Sequence, residues 1–497
     1  MKMKIKTILF VQIFFFCNIF SQGENNIPGL ELISRQDLMK TVNYLASKEL
    51  AGRLSGSDGY NKAAYYMSNE FRMLGLKPLG DNGYFQTFNV EYNEILPPIR
   101  LNLVKGENVV KEYKLGKDFV CRGFTGSGQF TAPVVFCGYG ISQPQNGYDD
   151  YSGIDIKGKV VMCFKYNPDW KLNDTTEWGE NFPRQKSLIA AKHGALGILF
   201  VSAPNEEKPQ KTILSMLHGK GIQDEEFPEL HIDLPVADDF LSGSGFTLKE
   251  LQTKIDSFRK PFSLSLKYSV ELEIHAKYFN EQPTMNIIGM LEGSDEKLKD
   301  EYVIVGAHLD HVGNQAGEIY APGANDNASG SAAVLESAKA FVEGMVHPKR
   351  SVIFILFASE EIGLAGSTYF VEHSPVPLEK ITAMINMDCI GYGDSIKVGN
   401  GKSAPQLWNI AKEQDSIFTK MMVKDTWSGG GADASPFHQK GIPCAYFVTT
   451  NSYEHLHYIT DTPETLNKDL FGKITKLVYL TAYNVANGNY NREFVKK

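Results

Sequence analysis

The sequence predicts an α/β fold: a mostly parallel central sheet flanked by helices, with a second, β-rich region inserted into it. Three observations carry this. From about residue 284 the apolar runs "YVIVGAHLD", "SVIFILFAS", "ITAMINMD" and "IPCAYFVT" alternate with the helical stretches "GSAAVLESAKAFVEG" and "SAPQLWNIAKEQDS". Runs that are apolar throughout belong to strands covered on both faces, as in parallel sheets wound with helices. The middle of the chain is instead rich in short β-type runs and turn residues. Finally, 497 residues exceed one ordinary core, so two domains are expected.

The N-terminus reads as an export signal. Lys2, Lys4 and Lys6 precede the apolar stretch "TILFVQIFFFCNIF", and small or polar residues follow at "SQG". A short basic region, an apolar core and a small-residue end make the layout of a secretory signal over residues 1–21, cleaved after Ser21. Bulky Phe16 before Cys17 argues against a lipoprotein signal. No later stretch is long and apolar enough to span a bilayer. The chain is therefore expected outside the cytoplasm, periplasmic or extracellular. Its net charge of −8 gives no basic surface for nucleic acid. Five cysteines remain beyond Cys17, and their odd number and apolar contexts point to buried thiols rather than a disulfide framework.

Residues from about 34 to 75 carry apolar side chains at three- and four-residue steps in "SRQDLMKTVNYLASKEL" and "GYNKAAYYMSNEFRMLGL", which predicts two helices. Between them "AGRLSGSDG" is a glycine-rich connection, and its Arg53 has no evident role. In the middle region "APVVFCGYGIS" and "GKVVMCFKY" read as strands. "QKSLIAAKHGALGILFVSA" reads as helix, glycine turn and buried strand.

Polar residues cluster where the later apolar runs end. His308 and Asp310 follow one strand, Asp326 precedes a helix of small residues, and Glu360 and Glu361 follow a second strand. Asp388 follows a third, and His457 and Asp461 follow a fourth. Carboxyl ends of strands are where α/β sheets build their sites. Two imidazoles and three carboxylates suit a pair of zinc ions, one carboxylate bridging through its two oxygens. A further carboxylate can then take a proton from water. Each residue alone has a plainer reading. Adjacent glutamates suit a helix start, and Asp326 in "NDNASG" suits a turn or an N-cap.

Taken in order, "HLD", "GANDNASG", "SEEIGLAGS", "NMD" and "HYITDT" resemble the motif series of the zinc-dependent aminopeptidase family. That family also holds glutamate carboxypeptidases, glutaminyl cyclases and the transferrin receptor. "LASKELAGRLSGSDGYNKAAYYMSNEFRMLGLKPLG" resembles the family's opening segment. "YGISQPQNGYDDYSGIDIKGKVV" and "AAKHGALGILFVS" resemble the protease-associated domain often inserted into it. The resemblance implies residues 22–95 as the first part of the peptidase domain, 96–270 as the inserted domain and 271–497 as the catalytic domain.

It also implies roles. His308, Asp326 and Asp388 would hold one zinc, and Asp326, Glu361 and His457 the other. Glu360 would be the general base, and Asp310 would orient His308. The Asp326–Asn327 peptide bond is expected to be cis. The register set by Asp461 and Thr462 favours His457 over His455, and His311 receives no role. Tyr320, Trp427 and Tyr453 are candidates for a pocket wall or for ordinary packing. Where the family often has Ser-Asp-His, this chain has Asp433 between Ala432 and Ala434, so contacts from that loop are open. The chain ends soon after His457, without the helical dimerisation domain of the glutamate carboxypeptidases.

The function implied is an exported di-zinc aminopeptidase acting on peptides. A carboxypeptidase or dipeptidase would need cationic residues near the late motifs, and no arginine cluster stands there. Glutaminyl cyclisation uses one zinc, and a binding protein like the transferrin receptor would have lost ligands.

Overall fold

The computed structural model describes residues 27–179, 182–215 and 223–495. The expected signal at residues 1–21 lies outside them. Four parallel strands form the centre of the C-terminal half, in the order Cys444–Thr449, Ile381–Met387, Tyr302–His308 and Ser351–Phe357. Antiparallel strands flank them, Ile396–Gly399 on one edge and the last residues of Ser263–Leu291 on the other. The four central strands are buried almost throughout. That is what their unbroken apolar runs require.

Alternation along each strand sorts the side chains between two cores. Val303, Val305, Val352, Phe354 and Leu356 face the helices Arg35–Leu45, Asp58–Met73, Gly330–Glu343 and Lys468–Ala486. Ile304, Ile353, Ile355 and Phe357 face the other side, where Phe370 and Phe437 come from the short helices Ala365–Glu372 and Ala434–Gln439. Ser34 and Ser57 cap the two N-terminal helices by accepting backbone N–H bonds.

Two long strands carry the chain between the halves. Phe85–Lys105 and Ser263–Leu291 pair antiparallel over most of their length. The second strand pairs with Ser351–Phe357 near one end and with Gly128–Cys137 near the other, so one sheet runs through both halves. In the inserted half, Gly128–Cys137, Val160–Phe164, Gly197–Val201 and Glu229–Ile232 are mutually parallel, with Phe119–Cys121 antiparallel at the far edge. Helices pack against these strands, one of them in the stretch the sequence read as helix, turn and strand. Pro183–Lys192 is joined by Leu234–Leu241 and Leu248–Phe258. The last of these carries a reciprocal capping box between Thr247 and Glu250, a signal present in the sequence as Thr-Leu-Lys-Glu.

Cys121, Cys137, Cys163, Cys389 and Cys444 are all buried and free. Among the described residues no helix is long and apolar enough to cross a membrane.

Candidate metal centre

Parallel pairing puts the carboxyl ends of the central strands at one edge. His308 stands opposite Phe357, Gly306 opposite Asn386, and Met387 opposite Phe447. The loops leaving these ends converge on one point. His308 is the last residue of its strand, and Glu360, Glu361 and Asp388 follow the ends of theirs. Asp326 lies in the turn before Gly330–Glu343, and its peptide bond to Asn327 is cis.

The two oxygens of Asp326 face different histidines. Oδ1 is 3.3 Å from His308 Nε2, and Oδ2 is 3.3 Å from His457 Nε2. His308 Nε2 is also 3.4 Å from Asp388 Oδ1, and His457 Nε2 is 3.1 Å from Glu361 Oε2. The structure thus gathers His308, Asp326, Asp388, Glu361 and His457 into two donor groups sharing one carboxylate. All but His457 are buried, and His457 is half-buried.

The surroundings fix these groups. Asp461 accepts the backbone N–H of Asn325 at 2.9 Å and that of Asp326 at 3.0 Å, one on each oxygen. Asn327 donates to the Met387 carbonyl and accepts from Gly330 N–H, which ties the Asp326 turn to the Asp388 strand. Tyr446 donates its hydroxyl to Asp388 Oδ2 at 3.1 Å. The Asp310 carboxylate lies 3.7 Å from His308 Nδ1, while the Asp310 backbone carbonyl is closer, at 3.2 Å. The Asp310 oxygens instead accept the N–H groups of Glu360, at 3.1 Å, and Glu361, at 3.3 Å. One carboxylate therefore holds the glutamate pair by its backbone, and the helix Ala365–Glu372 begins only after the turn.

His311 belongs to this cluster, a placement its sequence context did not announce. Its Nδ1 is 2.8 Å from Glu361 Oε1 and 3.7 Å from Asp326 Oδ2, while its buried Nε2 has no partner. Only its nearness to "HLD" could have signalled it. His455 stays outside, against Thr460 and the ring of Tyr392. Trp427 packs edge-on to Tyr446, Tyr453 is exposed, and Tyr320 pairs with Asn314 in a small hairpin. Asp433 is fully buried beside the cluster. Burial, with His308 opposing it, lifts its carboxyl to about 7.

Burial also lifts Glu360 well above the usual carboxylate range, and Glu361, Asp388 and Asp433 add to that while His308 opposes it. Asp326 goes the other way. Burial would raise it, but His308, His311 and His457 outweigh burial and hold it well below its ordinary value. Glu361 falls to about 2 in the same manner, with His457 the main opponent of burial. So many carboxylates in one dry place need cations, because uncompensated buried charge is expensive. The mixed set of imidazole and carboxylate donors fits divalent transition metals such as zinc.

A broad cleft of about 1920 Å³ opens next to this cluster, between the two halves. Lys117, Lys208 and Lys211 line it from one side, and Trp427, Tyr453 and His455 from the other. The metal-donor residues themselves do not line it.

An α/β sheet with a carboxylate–histidine cluster at its strand ends defines a class of α/β proteins with a candidate metal-binding centre. Comparison narrows this. Residues 286–482 match the model of peptidase family M28. The chain is 29% identical over 248 residues to the aminopeptidase YwaD of Bacillus subtilis, covering 47% of this chain and 51% of that protein. The chain thus spans about half the length of the curated relatives it matches first. Its fold is shared with an aminopeptidase from Aneurinibacillus sp. strain AM-1, with a TM-score of 0.65 and 19% identity over 94% of this chain and 97% of that one. It is shared also with BSAP, a zinc aminopeptidase from Bacillus subtilis, with a TM-score of 0.62 and 20% identity over 94% and 98%.

Proposed function

We propose that this chain is an exported di-zinc aminopeptidase that removes N-terminal residues from peptides. The observation that carries the reading is the division of Asp326 between two histidines, each paired with another carboxylate. His308, Asp326 and Asp388 would hold one zinc, and Asp326, Glu361 and His457 the other. When bound, such a pair supplies Lewis acidity, lowering the pKa of a water and polarising the scissile carbonyl.

The remaining work belongs to side chains of this protein. Glu360 stands beside the cluster with its backbone held by Asp310, and it takes the water's proton and passes it to the leaving amine. Its raised pKa is a property of the cluster without cations, and nearby divalent charge pulls it back towards the ionised base. Asp310 sets where that base stands. Asp461 and Tyr446 hold Asp326 and Asp388 in place. The inserted half, read as a protease-associated domain, walls one side of the adjoining cleft and restricts access to it.

The test uses the chain from Gln22 onward and a Glu360→Gln variant, each incubated with peptides carrying free or acetylated N-termini. Mass spectrometry should show stepwise loss from free N-termini only, and none with the variant. Loss from C-termini, or cyclised glutamine, would replace the aminopeptidase reading with another. Fractionation of cells producing the full chain should find a protein shortened by the first 21 residues outside the cytoplasm, and an unprocessed cytoplasmic product would sink the export part.

A further inference from the structure

Arg53 sits in the glycine-rich connection between the two N-terminal helices, and it is fully buried. Among the described residues no carboxylate bonds it directly. Its fork spends four hydrogen bonds on backbone carbonyls. Nε donates to Leu309 O at 2.9 Å, Nη1 to Leu45 O at 2.5 Å and Pro322 O at 2.7 Å, and Nη2 to Gly323 O at 3.0 Å. These carbonyls come from three separate segments. Leu45 ends the helix Arg35–Leu45, whose last carbonyls have no partner within the helix. Leu309 stands between His308 and Asp310. Pro322 and Gly323 lead into Asp326.

The backbone around Arg53 grips the same loops. Its carbonyl accepts from His311 N–H at 3.2 Å, and the Gly52 carbonyl accepts from Gly313 N–H at 3.0 Å. Ser55 Oγ accepts from Ser359 N–H at 2.8 Å, just before the glutamate pair. Ala51 and Arg53 take left-handed φ values of 46° and 48°, which non-glycine residues avoid unless their surroundings hold them there. Gly323 is equally constrained. A Cβ on it would lie 2.5 Å from the His311 ring and 2.4 Å from Asp326 O, so loop and turn touch at the place Arg53 joins.

The charge matters as well. Burial lowers the guanidinium to about 10, so it stays protonated at neutral pH, and Asp326, Asp461, Asp310 and Glu361 favour its charged form through space.

We propose that Arg53 is a positioning residue for the metal centre, setting the loop that carries His308, Asp310 and His311 against the turn that carries Asp326. It acts through backbone carbonyls, and it adds one fixed positive charge beneath the carboxylates. The inference rests on the metal-centre reading above. A planar guanidinium reaches four carbonyls from three directions at once, whereas a lysine keeps the charge but loses the fork.

The test compares wild type, Arg53→Lys and Arg53→Met. Zinc affinity and stoichiometry are measured by competition with a chromogenic chelator, alongside thermal unfolding of the metal-free proteins. Both variants should bind zinc at least about tenfold more weakly, in the range expected for groups that orient ligands. The lysine should recover part of the loss through its charge. A strap that served only the fold would lower thermal stability and leave the zinc constants unchanged, which would overturn the proposal. Wild type that takes up no zinc would remove the metal-centre reading itself. Hydrogen exchange on wild type, with and without chelator, gives a reading that does not depend on variants folding. Stripping zinc should raise exchange in residues 47–56 together with 309–326. Exchange in 47–56 that ignores the metal would also overturn the proposal.

Discussion

The backbone N–H of Leu214, in the inserted half, donates to the carbonyl of His457 at 3.1 Å. His457 has a left-handed φ of 59°, so its loop leans on outside support. The support continues around that bond. Leu214 packs with Val120, Val312 and Ala321, and the Gln315 amide pairs with both the N–H and the carbonyl of Cys121, at 2.9 and 2.6 Å. The inserted half therefore props a residue of the candidate metal centre as well as walling the cleft. Leu214→Pro removes the N–H and should weaken zinc binding by about 10- to 100-fold. Leu214→Ala keeps the N–H and should spare it. Equal zinc titration curves for the proline variant and wild type would refute this coupling.

Asp461 offers one oxygen to each of two successive N–H groups at the Asp326 turn. Asparagine keeps one acceptor and sets an amide NH₂ against the second N–H. Asp461→Asn should lower stability by about 1–3 kcal/mol, the usual cost of a stranded buried donor. Urea midpoints measure it. Zinc should also dissociate faster from the variant, and an unchanged midpoint with unchanged zinc release would remove this role.

Glu336 lies in the helix Gly330–Glu343 with Lys339, Asp37 and Glu343 as its charged neighbours, and its side chain is 3% exposed. Burial raises its carboxyl to about 7, with Lys339 opposing. A carboxyl raised on folding binds its proton more tightly in the native state. Its stabilising effect is complete below about pH 4 and is lost as pH rises through 7. Wild type should therefore lose about 2 kcal/mol between pH 4 and pH 8 that Glu336→Gln does not lose, after allowing for solvent screening. Parallel pH–stability curves for the two proteins would show that Glu336 is not responsible.

Chelation leaves Asp326, Glu361, Glu360 and Asp388 facing one another with the histidines and the buried Arg53 to offset them. Stripped protein should unfold at lower temperature, and zinc should restore the transition. Free zinc at about a hundred times its dissociation constant contributes about 2.7 kcal/mol for one site. Cobalt should also restore it, since imidazole and carboxylate donors accept several transition metals, and magnesium should do so poorly. A transition indifferent to chelator and to added zinc would argue against any resident metal.

The sequence by itself determined the alternation of strand and helix, because residues 302–308, 351–357, 381–387 and 444–449 are locally apolar and bounded by local turn signals. It also pointed to His308, Asp326, Glu360, Glu361, Asp388 and His457, because each stands where an apolar run stops or a helix begins. Only the tertiary structure decided which atoms meet. The turn of Asp310 towards the backbone of the glutamate pair, the approach of His311 to Glu361, the Tyr446 hydroxyl on Asp388 and the bond from Leu214 to His457 join residues distant in the chain. Hydrophobic periodicity reports which face of an element is buried, not what lies across the gap. Arg53 shows this most directly. Its sequence context is a flexible-looking glycine loop, and its partners are backbone carbonyls, which every sequence has and none advertises.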